Sequence, residues 1–127
     1  MANISLVALL LVTCLYMTYG KINGSRHDLK VGKRGYNDVL LFQKTVSKSN
    51  WKPWGTVSED VSFSFKKEYG LKIVITEIDA FDLDKDDKGG YAYITEGGVN
   101  YNNVTIHFKS QKGLGFNFEV TIYGHYY

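Results

Sequence analysis

Residues Asn103–Tyr123 read NVTIHFKSQKGLGFNFEVTIY, and their alternation decides the fold. In Asn103–Lys109 the side chains of Val104, Ile106 and Phe108 fall on one face, and Thr105, His107 and Lys109 on the other. Phe116–Tyr123 repeats the pattern, with Phe116, Phe118, Val120 and Ile122 inward. A period of two is the mark of a half-buried strand. Between them Gln111–Gly115 (QKGLG) reads as a hairpin loop, with two glycines available for positive φ.

The same reading extends upstream. Val57–Lys66 (VSEDVSFSFK) alternates with Val61, Phe63 and Phe65 on one face. Leu71–Ile78 (LKIVITEI) is rich in β-branched residues, which suit a pleated surface. Tyr69-Gly70 turns the chain between those two. Tyr91–Glu96 is a strand closed by Gly97-Gly98, and Asp38–Val46 (DVLLFQKTV) reads as a buried strand, apolar on both faces around Leu40–Phe42. These are six strands, with a seventh suggested near Leu29–Val31. No stretch carries a helical period. The expected fold is all-β, an antiparallel sandwich or flattened barrel of six to seven strands.

The first twenty residues stand apart. Ile4–Met17 (ISLVALLLVTCLYM) has no charge, Gly or Pro, and is shorter than the roughly 20 residues a membrane span needs. Small residues at Thr18 and Gly20 precede an abrupt onset of charge at Lys21. This predicts a secretory signal over 1–20, cleaved between Gly20 and Lys21, rather than a retained anchor. A flexible arm is expected over 21–30 and a single β domain over 31–127.

Every ionised side chain lies beyond the cut, so the mature chain keeps the net charge of +2. That balance argues against direct nucleic-acid binding and against a polybasic membrane tether. The one cysteine, Cys14, falls within the signal, which excludes a disulfide scaffold and any thiolate chemistry. Ten Tyr, seven Phe and two Trp must then supply much of the packing.

Gly89–Gly124 (GGYAYITEGGVNYNNVTIHFKSQKGLGFNFEVTIYG) resembles the C-terminal block of the insect multiprotein bridging factor type 2 family. Val31–Leu41 (VGKRGYNDVLL), Val61–Phe65 (VSFSF) and Ile75–Asp82 (ITEIDAFD) fall in that family's order. The resemblance covers about Leu29–Gly124. It implies a protein of a group named after a silk-gland coactivator, many members of which are described as salivary secreted peptides. It carries no catalytic motif. Gly97, Gly98 and Gly115 match family positions and read as turn requirements, whereas Val99-Asn100 departs from the commoner small, turn-prone pair.

Candidate sites are few. Asp82, Asp84 and Asp86 alternate like the first ligands of a calcium loop, but Asp87 stands where the sharp turn needs Gly and Tyr93 where a bidentate Glu belongs. A solvated acidic turn over Asp82–Gly90 is the simpler reading, with weak calcium binding left open. His27, His107 and His125 have no metal-site spacing and read as separate surface residues. No GxSxG or phosphate loop occurs, so no catalytic residue, cofactor or metal is assigned. Asn103 and Asn23 head glycosylation sequons. Trp51 and Trp54 flank Pro53 in Lys48–Gly55, either capping the core, the preferred reading, or forming a contact patch.

The sequence therefore points to a secreted, non-enzymatic binding module whose partner is an extracellular protein or small ligand, with homodimerisation through edge strands left open. The alternatives are a transcription coactivator and a carrier of a small apolar ligand.

Overall fold

The structure is a computed structural model that describes residues 27–66 and 70–127. The signal segment, its cut, Asn23, the first part of the arm and Tyr69 lie outside the described residues.

Seven strands form two antiparallel sheets: β1 (Leu29–Gly32), β2 (Val39–Lys48), β3 (Ser58–Ser64), β4 (Ile73–Asp82), β5 (Tyr91–Gly97), β6 (Asn103–Lys109) and β7 (Phe116–Tyr126). The four-stranded sheet has the order β1-β4-β7-β2 and the three-stranded sheet the order β3-β6-β5. The arrangement is an open sandwich. The chain crosses from one sheet to the other repeatedly, and of consecutive strands only β5 and β6 pair.

The inward alternation holds throughout β6 and β7. Val104, Ile106, Phe108, Phe116, Phe118, Val120 and Ile122 are all at most 2% exposed. What differs is their relation. Gln111–Gly115 is not a hairpin loop, because β6 and β7 belong to different sheets and face each other across the core. Phe108 lies 5.0 Å from Phe118 and 5.9 Å from Phe116 between ring centroids. Two inward faces look alike whether they are neighbours in one sheet or opposed across a sandwich. Gly113 takes positive φ (72°), but Gly115 is needed for another reason: a Cβ there would stand 2.3 Å from the Lys48 carbonyl oxygen.

β2 is an edge strand rather than a buried one. Val39 and Leu40 are 45% and 48% exposed, and a bulge at Leu41 shifts its register against β7. Lys44 lies opposite Val120, on the core-facing side of this edge, a placement that discourages pairing with another chain. A second bulge, at Thr76 in β4, frees backbone groups that the β5–β6 turn uses: Ile75 N–H donates to the Tyr101 carbonyl (2.9 Å), and Asn100 N–H donates to the Ile75 carbonyl (2.8 Å). Asn100 adopts φ 75°, a conformation Asn tolerates, which accounts for Val99-Asn100 standing where a smaller pair is usual.

The arm expected over 21–30 is docked at its described end. Leu29 and Lys30 pair with Ala80 and Asp79, and the His27 ring stacks on Tyr91 at 4.6 Å.

Removing the Phe108 ring empties the centre of the sandwich, so Phe108→Ala is expected to cost about 3–5 kcal/mol. Tyr36→Ala, at a fully exposed position, should change stability by less than about 0.5 kcal/mol. Urea denaturation of the two variants checks both.

Candidate functional site

One end of the sandwich gathers three loops: 49–57 between β2 and β3, 83–90 between β4 and β5, and 110–115 between β6 and β7. Hydrogen bonds fix their order. Gly113 N–H donates to the Gly55 carbonyl (2.9 Å), tying the first loop to the third. Gln111 Nε2 donates to the carbonyls of Asp87 and Gly89, tying the third to the acidic loop.

Asn50 holds the mouth of the first loop. Its Nδ2 donates to the carbonyls of Gly55 (2.8 Å) and Leu114 (3.2 Å), and its Oδ1 accepts from Lys52 N–H (2.8 Å). Both amide donors and one acceptor site are thus spent on backbone, which satisfies the turn without secondary structure. From this fixed base Trp51, Lys52, Pro53 and Trp54 project into solvent. Trp51 and Trp54 are each 85% exposed. The tryptophans do not cap the core, as the sequence suggested. Phe116 and Phe118 fill this end of the core together with Phe108. Lys52 Nζ lies 5.8 Å from the Trp51 ring centroid, within range of a cation–π contact.

The acidic loop is not a freely solvated turn from its first residue. Asp82 belongs to β4 and is 1% exposed. Its carboxylate accepts from the backbone N–H groups of His27 and Asp84, both at 3.0 Å. Burial, and then the charge of Asp82, push the Asp84 carboxyl above its ordinary value. Among the described residues no group of three or more His, Cys, Asp or Glu is placed to hold a metal ion.

The histidines stay apart, but each has a partner that sequence reasoning missed. His107 Nδ1 lies 2.7 Å from Asp60 Oδ1 on the outer face of the three-stranded sheet. His125 Nδ1 lies 2.9 Å from Asp38 Oδ1 at the opposite end of the sandwich. His27 Nδ1 lies 3.0 Å from the Gly90 carbonyl. The Asp38 carboxylate also accepts from Thr76 Oγ1 (2.6 Å) and Gly35 N–H, and these bonds hold it below the usual carboxylate range. Thr76 Oγ1 donates to Asp38 rather than to the imidazole. The cluster ties β4, β7 and the turn before β2 together. Asn103 is exposed at the head of β6, after the β5–β6 turn.

A carboxyl pair occupies the outer face of the four-stranded sheet, Asp79 buried and Glu77 half-buried. Asp79 is 4% exposed and faces Thr121 across β4 and β7. Burial, followed by the hydrogen bond and charge of Glu77, pushes Asp79 up to about 7. Glu77 moves the other way, chiefly through that shared hydrogen bond. The alternating pattern of β4 places these two acids on one face, but the sequence gives no sign that the face is covered.

The fold and this end define a class: a small cysteine-poor β-sandwich that displays an aromatic loop held at its base by hydrogen bonds to backbone. Residues 31–124 match the family described as "Transcription activator MBF2", and the chain belongs to that family. It is 40% identical over 101 residues to a protein of Bombus ignitus described as "Probable salivary secreted peptide", a match covering 79% of this chain and 71% of that one. No solved structure matches it.

The Asp79 shift fixes a pH dependence. Between the unfolded value of 3.8 and about 7 the folded state holds a proton that the unfolded chain has released. Stability attributable to Asp79 therefore falls as pH rises through that window, while Glu77 opposes it only at the acid end. Asp79→Asn keeps a donor toward Glu77 and is expected to flatten the profile. It should gain on the order of 1–2 kcal/mol over wild type at mildly alkaline pH, measured by urea denaturation across pH.

Proposed function

We propose that the chain is a secreted insect protein acting outside the cell as a non-enzymatic interaction module, with the loop end around Trp51 and Trp54 as its binding face. The observation that carries this reading is the 85% exposure of both tryptophans on a loop whose base is clamped by Asn50. Tryptophan is highly buried on average, and clustered exposed aromatics mark contact surfaces. The clamp lowers the ordering cost of binding, because the loop is already in one conformation.

Secretion is supported by the apolar segment Ile4–Met17 and by the Bombus ignitus relative, described as a probable salivary secreted peptide. Asn103, exposed at the head of β6, is then available for glycosylation. The core-facing Lys44 and the bulges on β2 and β5 discourage strand pairing at those two edges. The carrier alternative asks the two sheets to part, against rings in contact across the core. The family description favours one second reading, an intracellular transcription activator, which requires the apolar segment to be retained or bypassed.

Expression of the full chain in insect cells separates the two. The expected product lies in the medium, begins at Lys21 and is heavier by a glycan that Asn103→Gln removes. A cellular, nuclear product still beginning at Met1 contradicts the secreted reading. The double variant Trp51→Ala/Trp54→Ala should be secreted and folded like wild type, yet lose capture of ligand from glandular secretion.

A further inference from the structure

We infer that the Trp51–Trp54 tip is a peripheral lipid-contact site, taking the headgroup region of an anionic bilayer. This rests on the extracellular reading above and names the surface that the tip meets.

Three features of the tip support it. The first is shape and size. Trp51, Lys52, Pro53 and Trp54 are four consecutive exposed residues. Two tryptophan side chains bury at most about 150–250 Å² each, whereas a stable protein interface needs roughly 800 Å² from each partner. A tip this small is under-sized for a protein partner or a second copy. It suits a soft surface that it can enter.

The second is chemistry. An indole has an apolar body and one polar N–H, and favours the zone where acyl chains meet headgroups. Pro53 between the two leaves no backbone N–H to desolvate at the tip's centre.

The third is charge. Lys52 lies between the tryptophans in sequence. Lys48 stands at the loop's start, with Nζ 3.1 Å from the Ser58 carbonyl. Lys112 precedes Gly113, whose N–H is bound to Gly55 and whose Cα packs so closely on Pro53 that a Cβ would stand 2.8 Å from its carbonyl. Gln111 holds the Asp87–Gly89 part of the acidic loop, while Asp84 and Lys88 line a cleft with Lys48 and Asn50. Lys48, Lys52 and Lys112 are the ionised residues of 48–57 and 110–115, which contain no acid, so the tip and its base carry positive charge that matches an anionic headgroup layer. The net charge of +2 is too small for a polybasic tether, so contact depends on the indoles and the lysines together.

The test uses the chain recovered from insect-cell medium, sedimented with vesicles of phosphatidylcholine alone or of phosphatidylcholine mixed with phosphatidylserine. Each lysine near an anionic surface contributes about fivefold, so binding to the mixed vesicles should be at least about tenfold tighter. It should weaken in about 1 M salt, where screening acts within about 3 Å. Trp51→Ala/Trp54→Ala, checked for unchanged thermal unfolding, should abolish it, and Lys48→Gln/Lys52→Gln/Lys112→Gln should remove the preference for phosphatidylserine.

Absence of binding to the mixed vesicles overturns the lipid assignment and leaves the extracellular reading standing, because the protein came from the medium. Equal binding to both vesicle types overturns the anionic requirement. Undiminished binding by the tryptophan variant places the contact elsewhere and also overturns the proposal. Failure to recover the chain from the medium is a failure of the secreted reading instead, and the vesicle assay is then run on the cellular product with the same criteria.

Discussion

The packing of Phe108 against Phe116 and Phe118 is the contact on which the rest of the structure depends. The one cysteine lies in the apolar N-terminal segment, so no disulfide joins the two sheets of the β domain. What joins them is apolar contact between their inner faces, and these three rings are its largest members. β7 supplies two of the rings and pairs along most of its length with β2 on one side and β4 on the other. It is therefore both the centre of the larger sheet and its main contribution to the core. The β4 bulge and the backbone bonds from Asn100 and Tyr101 add a second tie between the sheets at the far end.

This arrangement explains why the tryptophans are outside. Phenylalanines close the loop end from within, and Asn50 closes the mouth of the 49–57 loop with hydrogen bonds to backbone. The loop needs no apolar anchor of its own, so its aromatic residues are free to face outward. Order at the base and exposure at the tip come from separate residues. The same separation appears in the histidines, where a separate acceptor, Gly90, Asp60 or Asp38, meets Nδ1 of each ring without bringing the rings together.

The strands were legible because alternation survives without an alignment. β6 has the predicted limits, and the short β1 lies where Leu29–Val31 suggested it. Strand partners were not legible. NVTIHFK and FNFEVTIY have inward faces that would serve equally well side by side or opposed across the core, and the glycine-bearing loop between them fits either connection. The edge status of β2 was hidden for the same reason, since Leu40–Phe42 is apolar whichever strands lie beside it. The Trp51 and Trp54 exposure was missed because composition predicts burial for Trp, and the competing phenylalanines lie far away in sequence. Asp82 reads in sequence as the first residue of a solvated turn. Its burial accompanies hydrogen bonds with His27 and Asp28, a tertiary effect that no local pattern records. Asp38 was likewise readable only as the start of a strand, because its partners Thr76 and His125 are distant in the chain.

The central claim is that this sandwich is held by phenylalanine and aliphatic packing while both of its tryptophans are displayed to water. The chain has only two tryptophans, so their fluorescence reports on that loop alone. The most direct measurement is the tryptophan emission spectrum of the folded chain, compared with that of the same chain unfolded in urea, with folding followed independently by circular dichroism. The account predicts a water-exposed emission maximum in both states, nearly unchanged across the unfolding transition. A folded-state maximum well to the blue, moving red on unfolding, would contradict it by placing an indole inside the fold.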